Sequence, residues 1–430
     1  MPQTDKPLTQ NIRPGRGPLD LKEYEQAGGY QGLRKALAMS PREVQDCVTK
    51  SNLTGRGGAG FPAGRKWSAV PMGPEARRPK YLVVNADEME PGTMKDRLLM
   101  EGDPHGLVEG ACVAAYAIEA DIVYILLRNE YRLSAERLRA AIAEAYEQNH
   151  LGRHILGSPF SLEMRLHVSA GRYMCGEKSG ILNALEGQRA VPRAKPPRSA
   201  VSGLWGRPTI VNNVETVCCV PHIVSRGWEW FRGLGRTGEG GTKIYGASGA
   251  VRRPGMWELP TGTPIREILE GCAGGVREGR EFRALLPGGA STSFVTAEHL
   301  DTPMDFAHME KIGSRLGTGT MIVLDDRTCP VGVLVSLARF FARESCGWCT
   351  PCREGLPWVM RTLEAIEEGD GRPSDIGVLE EHVELVADEN TFCELGPGAM
   401  MPVKGALTHF RRDIERHIAE KRCPWRARPA

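Results

Sequence analysis

Tyr81-Leu-Val-Val-Asn85-Ala-Asp87-Glu88-Met89-Glu90-Pro91-Gly92 opens with a short apolar run and ends in three carboxylates and a Pro-Gly break. The run reads as a short buried strand, Tyr81 to Asn85. Beyond it the pattern alternates: a helix from Gly106 to Ala120, a strand from Ile122 to Leu127, a helix from Ser134 to Gln148, and a strand from Leu162 to Val168. Strands alternating with helices imply right-handed crossovers and a parallel sheet, hence an α/β fold. Ligands of such sheets sit at the carboxyl ends of the strands. Clustered acids on a loop are usually solvated, but at that edge Asp87, Glu88 and Glu90 can accept from ribose hydroxyls and repel a 2′-phosphate.

Upstream, residues 1–35 are polar and punctuated by Gly and Pro, and read as an arm laid over the surface or a partner. Ser40-Pro41-Arg-Glu43 is a capping box with Pro at the first helical position, opening a helix that runs through Val44 and Val48 to Leu53. It leads into Gly55-Arg56-Gly57-Gly58-Ala-Gly60-Phe61-Pro-Ala-Gly64-Arg65-Lys66-Trp67. Gly55, Gly57 and Gly60 satisfy G-x-G-x-x-G, yet the dinucleotide fingerprint needs a strand before the glycines, and here a helix precedes. What remains is a Gly-rich loop with Arg56, Arg65 and Lys66, suited to a phosphate-bearing cofactor, with a flexible surface loop as the plainer reading.

Downstream, Gly171-Arg-Tyr173-Met-Cys175-Gly176-Glu177-Lys178-Ser179-Gly180 is another Gly-flanked turn, opening onto a helix from Ile181 to Leu185. After an irregular loop over 187–208, Asn212 and Asn213 lead into a helix through Cys218, Cys219 and Ile223. Paired Asn residues there are caps, or groups that fix the edge of a planar ring carrying donors and acceptors. From Gly240 the composition shifts to a small α+β module with one helix, closed by a strand from Thr320 to Asp325 and without a catalytic constellation. The remainder reads as four helices, Val331 to Arg343, Glu354 to Glu367, Ser374 to Ala387 and Gly398 to Lys421.

Between the first two of these helices lies Glu344-Ser-Cys346-Gly-Trp-Cys349-Thr-Pro-Cys352-Arg353, and between the last two Cys393. Three thiols in one turn and a fourth from a distant loop suit a [4Fe–4S] cube. Zinc is the rival, although structural zinc sites usually bring ligands in two separated pairs. Buried free cysteines account for a lone Cys47, Cys112 or Cys272, but poorly for three thiols in seven residues. Twelve cysteines in 430 residues are too sparse for a disulfide scaffold and suggest metal ligation in a reducing compartment. Net charge of +2 gives no electrostatic case for nucleic acid. Neither a signal peptide nor a membrane span is expected: Met1-Pro-Gln-Thr-Asp-Lys-Pro7 has no apolar core, and no window approaches the roughly 20 apolar residues of a span.

Taken together, GRGGAGFPAGRKW, NADEMEPGTMKDRLLMEGDPH, AGRYMCGE, ALEGQRAVPRAKPP, SGLWGRPTIVNNVET, ESCGWCTPCREGLPW and TFCELGPGA resemble the NADH-binding flavoprotein subunit of respiratory complex I in its bacterial form. The resemblance implies a Rossmann-like FMN- and NADH-binding domain with its N-terminal arm over 1–238, a ubiquitin-like β-grasp module over 239–326, and a helical bundle with one [4Fe–4S] cluster over 327–430. It implies that Gly55, Arg56, Gly57, Gly58, Gly60, Gly64 and Lys66 surround FMN and NADH, with Phe61 stacking on adenine. Asn85, Asp87, Glu88, Tyr173, Gly176, Asn212, Asn213 and Thr216 would complete the cofactor site, with Glu88 disfavouring a 2′-phosphate and Glu90 and Glu177 orienting the nicotinamide. Cys346, Cys349, Cys352 and Cys393 would ligate the cluster.

The implied activity is NADH:quinone oxidoreductase, with hydride passing from NADH to FMN and single electrons to the cluster. The implied partners are a thioredoxin-like [2Fe–2S] subunit and a large iron–sulfur subunit, which would hold the chain at the cytoplasmic side of the bacterial inner membrane without insertion of its own. Diaphorase subunits of hydrogenases and formate dehydrogenases share these motifs. Two positions depart from the family: Lys178 stands where a second Glu is usual, and Arg198 where an aromatic follows Lys-Pro-Pro. These two cations raise the alternatives of NADPH use and of a relay or docking paralogue fed by a protein donor.

Overall fold

A computed structural model describes residues 5–426; the first four residues of the Met1–Pro7 stretch and residues 427–430 of the basic tail lie outside the described residues. Four parallel strands, β1 (Tyr81–Ala86), β2 (Ile122–Leu127), β3 (Glu163–Val168) and β4 (Thr209–Asn213), form a sheet in the order β3-β2-β1-β4. The chain moves outward from β1 to β3 and then returns to the other side of β1. This leaves a crevice between the carboxyl ends of β1 and β4, where doubly wound sheets take their ligands. Asn85 pairs with Asn213 across that crevice and Val84 with Asn212.

Successive side chains of β1 point to opposite faces. Leu82 and Val84 enter a core with the helices Pro41–Lys50, Pro104–Ala117, Arg132–Glu147 and Val214–Arg226, while Tyr81 and Val83 face Ile181, Leu182 and Leu185 of the helix Lys178–Leu185. Two expectations from the sequence change here. Pro208 to Thr216 does more than lead into a helix: its first part is β4, because Ile210 and Val211 are buried against both faces. The N-terminal arm is not laid over the surface: Leu8, Tyr24, Tyr30 and Leu33 belong to the core. Buried Glu109 gathers that segment by accepting from Tyr24 Oη at 2.7 Å and from the amides of Tyr30 and Leu33 at 2.9 and 3.1 Å.

The second module is a mixed sheet of β5 (Thr242–Gly249), β6 (Gly255–Pro260), β7 (Phe282–Leu286) and β8 (Thr320–Asp325) in the order β6-β5-β8-β7. The β5–β8 pair is parallel and the outer pairs antiparallel. In place of the one expected helix it carries a π-helical turn, Glu267–Cys272, and a short helix, Phe306–Lys311.

The third module packs the helices Pro330–Glu344, Thr350–Glu368, Ser374–Leu385, Leu395–His409 and Arg411–Glu420 around one core. The last two replace the single helix that the apolar period suggests. They break at Phe410, whose backbone leaves the helical region so that its ring packs edge-on to Phe294 of the second module, 5.1 Å away.

A fully buried ion network joins the first two modules. Lys95 Nζ lies 2.7 Å from Asp96 Oδ1 and 2.9 Å from Glu215 Oε2, Lys243 Nζ lies 3.2 Å from the same Glu215 oxygen, and Ile244 N donates to Glu215 Oε1 at 2.7 Å. Burial alone would raise the Glu215 carboxyl, but the ammonium groups of Lys243 and Lys95 overcome it and hold Glu215 down at about 2. Glu215→Gln strands buried Lys243, leaves Lys95 with Asp96 alone, and should lower stability by about 3 kcal/mol, read as a lower midpoint in urea unfolding followed by near-ultraviolet circular dichroism. An unchanged midpoint would show that the network contributes nothing.

Candidate flavin and iron–sulfur sites

The crevice is lined from three directions: the loop before the first sheet, the carboxyl ends of β1 and β4, and the 171–180 turn. The Gly-rich loop is pinned by a bond from Gly55 N to Phe61 O at 3.0 Å and wedged between modules. Gly58, at φ +111°, lies against Gly317, and a Cβ on Gly60, at φ +66°, would strike the Phe306 ring at 2.6 Å. A flexible surface loop is thereby excluded. Arg56, expected to bring charge to a phosphate, does otherwise: its guanidinium is wholly buried, donating to Thr54 Oγ1 at 2.7 Å and to Gly240 O and Thr242 O at 2.7 and 3.2 Å. Its amide donates to Thr216 Oγ1 at 2.8 Å, so Arg56 and Thr216 brace the loop.

Glu88 is also engaged within the chain. Its carboxylate accepts from the amides of Asp96 and Arg97 at 2.9 and 3.1 Å and from Tyr131 Oη at 3.1 Å, sealing the start of the helix Lys95–Gly102. Glu90 is half-buried with both oxygens occupied: Tyr173 Oη donates to one at 2.6 Å, and Ser291 donates to the other through N and Oγ at 2.7 and 2.8 Å. Glu177 caps its own helix, accepting from the amides of Ser179 and Gly180 through Oε2, both at 2.7 Å. Among the described residues its hydrogen bonds all fall on that oxygen. Asn213 caps the Val214–Arg226 helix through Glu215 N, Asn212 Oδ1 accepts from Trp67 Nε1 at 3.1 Å, and Asn85 donates to Gly176 O at 3.0 Å.

Two features of the crevice are left over for a ligand. Asp87 Oδ1 is buried without a hydrogen-bond partner, while Oδ2 accepts from Ser169 Oγ at 3.1 Å. Burial, only partly offset by that hydroxyl, pushes the Asp87 carboxyl up to about 6. Lys66 Nζ donates to Val211 O at the end of β4 and feels the charge of Lys178, which in turn feels Lys195, Glu177 and Arg198; among the described residues none of these four cations makes an ion pair. Burial, reinforced by Lys178, lowers Lys66 to about 8, and Lys195 and Arg198 act on Lys178 in the same direction. A buried acceptor just beyond β1 and a group of cations without ion pairs, one of them anchored at the end of β4, fit a group that bears both hydroxyls and phosphate, as FMN and a dinucleotide do. Phe61 stands half exposed at the mouth with the Arg65 guanidinium 5.7 Å from its ring centroid, a surface on which a flat base can stack.

The four cysteines expected to ligate a cluster pack into the bundle core at the end that faces the 171–180 turn. Burial pushes the Cys393 thiol up to about 12, and the Cys393 loop meets the turn where Phe392 N reaches Cys349 Sγ. Phe392 N donates to Cys349 Sγ and Ser345 Oγ contacts Cys352 Sγ, each at 3.3 Å. Arg189 donates to Cys346 O at 2.6 Å and Arg353 to Gly347 O at 3.1 Å, bringing two cations to a turn whose bound cluster would carry net negative charge. Arg189 gave no signal in the sequence, because it lies on an irregular loop and meets the turn only in three dimensions. Tyr173 links the two sites: its ring lies 5.2 Å from Phe340 and 6.1 Å from Phe341 on the helix that ends at the cysteine turn.

A nucleotide-type crevice linked by an aromatic layer to a three-cysteine turn and a fourth cysteine from a separate loop defines a flavin- and iron–sulfur-dependent oxidoreductase component. Three family profiles match the chain: Nuo51 FMN-binding domain over residues 48–222, SLBB domain over 246–295, and NADH-ubiquinone oxidoreductase-F iron-sulfur binding region over 332–417. The chain is 51% identical over 415 residues to the F subunit of the NADH-quinone oxidoreductase of Escherichia coli (strain K12), covering 96% of this chain and 93% of that protein. It is 50% identical over 419 residues to the F 2 subunit of the NADH-quinone oxidoreductase of Rhizobium meliloti (strain 1021), covering 97% of this chain and 99% of that protein. It is also similar to a crystal structure of an NAD+-reducing [NiFe]-hydrogenase in the H2-reduced state, with a TM-score of 0.82 and 34% identity over 93% of this chain. It spans 66% of that hydrogenase chain. The chain belongs to the family of NADH-quinone oxidoreductase F subunits.

Asp87 gives the crevice a pH signature. Its folded pKa lies above the ordinary 3.8, so its contribution to stability is fully present below about pH 4 and is lost as pH rises through about 6. Asp87→Asn should therefore leave apoprotein stability at pH 4 unchanged and raise it at pH 7.5 by on the order of 2 kcal/mol, while raising the KM for the nucleotide. Equal stability of both proteins at pH 7.5 would contradict the burial cost.

Proposed function

We propose that the chain is the electron-input subunit of an NADH:quinone oxidoreductase, taking a hydride from NADH at the β1/β4 crevice and passing electrons to a cluster at the Cys346–Cys393 site. The observation that carries this reading is a sheet-end crevice with the partnerless Asp87 oxygen, joined through Tyr173 and its Phe340 and Phe341 packing to the helix that ends at the three-cysteine turn. FMN, when bound, supplies the conversion from paired to single electrons, which no side chain can perform. The residues do the rest. Lys66 and Lys178 hold phosphate, Asp87 accepts from a hydroxyl, Asn85, Asn212 and Asn213 shape the floor, and Phe61 stacks on the base. Glu90 acts as a tie between modules, and Glu177, with one oxygen outside its cap, is the group that can reach the nicotinamide.

Trp348 and Phe392 flank the cluster turn, both about half exposed and 6.2 Å apart. They mark the exit to the next carrier, for which the thioredoxin-like [2Fe–2S] subunit and the large iron–sulfur subunit are the candidates. No helix among the described residues is long and apolar enough to cross a membrane, so attachment at the cytoplasmic face would come through those partners.

The uncompensated cations Lys66, Lys178, Lys195 and Arg198 favour a second reading of the nucleotide, namely that NADPH is accepted alongside NADH. The recombinant chain, reconstituted with FMN and iron–sulfur, should reduce ferricyanide with either nucleotide, and Lys178→Glu should cut kcat/KM for NADPH by about 10-fold or more relative to NADH. A flavin-loaded protein inactive with both nucleotides would refute the catalytic assignment. An unaltered ratio in Lys178→Glu would refute the role of the cations.

A further inference from the structure

At the opposite end of the helix pair that carries the cluster turn, four metal-ligating side chains meet. Cys329 caps the Pro330–Glu344 helix, Glu367 lies in the last turn of the Thr350–Glu368 helix, His417 is on the final helix and Cys423 is in the tail beyond it. Their ligand atoms all lie within 4.8 Å of one another, and Glu367, His417 and Cys423 are buried. Cys329 Sγ is 3.6 Å from Cys423 Sγ, 3.3 Å from His417 Nε2 and 3.3 Å from Glu367 Oε2, and the last two atoms are 3.2 Å apart. A tetrahedral zinc ion with bonds of about 2.3 Å to sulfur and about 2.0 Å to nitrogen and oxygen has S–S, S–N and N–O edges of about 3.8, 3.5 and 3.3 Å. The cage has those proportions already. Both cysteines are free thiols, and a hydrogen-bonded chain would give no reason for two sulfurs to close on the same point as an imidazole and a carboxylate.

The groups around the cage prepare it for a cation. His417 Nδ1 is 2.6 Å from Asp413 O, which fixes the proton there and turns the Nε2 lone pair inward, the arrangement usual behind zinc-bound histidine. Gly332 N donates to Cys329 Sγ at 3.2 Å at a helix N-terminus, which favours the thiolate. Two thiolates and a carboxylate around a divalent ion leave one negative charge, and Arg426 meets it at 3.2 Å from the other Glu367 oxygen. The Trp425 ring stacks on His417, 5.6 Å between centroids, and covers the site from the tail.

We propose that Cys329, Glu367, His417 and Cys423 bind one structural zinc ion, distinct from the iron–sulfur site. Four protein ligands leave no open position, so the ion is structural rather than catalytic. It fastens the final helix and tail to the base of the two helices whose other ends hold Cys346, Cys349 and Cys352. The Pro330–Glu344 helix, with 15 residues, separates the two sites by roughly 20 Å.

The test is metal analysis of the untagged full-length chain, purified anaerobically without chelator from zinc-replete medium and compared with Cys423→Ser and Cys352→Ser. The proposal expects about one zinc per chain in the wild type, about the same in Cys352→Ser, and below about 0.1 in Cys423→Ser with iron at the wild-type level. Wild-type protein with less than about 0.1 zinc, its two thiols free or joined as a disulfide, would overturn it. So would zinc that survives Cys423→Ser and vanishes in Cys352→Ser, since that ion would occupy the cluster site. Should Cys423→Ser fail to fold, zinc-edge X-ray absorption on the wild type decides: two sulfur and two lighter ligands support the site, and four sulfurs refute it.

Discussion

The structure depends on one buried carboxylate. Glu215 begins the helix that follows β4 and receives the ammonium groups of Lys95, from the segment after β1, and of Lys243, from β5 of the second module. All three side chains are buried, so Glu215 is tolerable only beside the two ammonium groups and Lys243 only beside Glu215, while Lys95 is held by Asp96 as well. The consequence is positional: the carboxyl ends of β1 and β4, which form the ligand crevice, are held at fixed separation by charges that cannot relax into solvent. Arg56 extends the constraint, since its guanidinium bonds carbonyls where the second module begins while its own amide bonds Thr216.

The same logic joins the crevice to the cluster turn. Glu90 leaves the end of β1, receives Tyr173 from the 171–180 turn and receives Ser291 from the second module, so one carboxylate fixes three segments. Tyr173 N in turn donates to Glu344 Oε2 at 3.2 Å, at the end of the helix that precedes the cysteine turn. Electron transfer from a flavin to a cluster needs a short and constant gap. Here the hydrogen bonds to Glu90 and Glu344 and the packing of Tyr173 on Phe340 and Phe341 would hold that gap constant once both groups were bound.

Much of this was legible in the sequence, for identifiable reasons. The parallel sheet announced itself through apolar runs of strand length separated by helical periodicity, and the cysteine turn through spacing alone. β4 escaped because its five residues run straight into a helix start, so Asn212 and Asn213 looked like caps; Asn213 is a cap and the last strand residue at once. The break at Phe410 escaped because the apolar period continues through it, and only the Phe294 ring across the module boundary explains the bend. The polar roles were the least legible. Arg56, Glu88 and Glu90 have the chemistry of ligand contacts, but the fold uses those charges to hold itself together. Asp87, Lys66 and Lys178 make no ion pair among the described residues, and one Asp87 oxygen has no hydrogen-bond partner. Cys329 and Cys423 stand 94 residues apart in sequence and meet only when the final helix folds back.

On this reading a single chain joins a hydride-accepting crevice to a one-electron centre. Anaerobic titration with NADH, following flavin absorbance and the paramagnetic signal of the reduced cluster in wild-type and Cys352→Ser protein, tests it most directly. The account predicts that flavin bleaches in both proteins and that the cluster signal grows in the wild type alone. Bleaching of the wild-type flavin with no cluster signal at any nucleotide ratio, in protein carrying its full complement of iron, would contradict it.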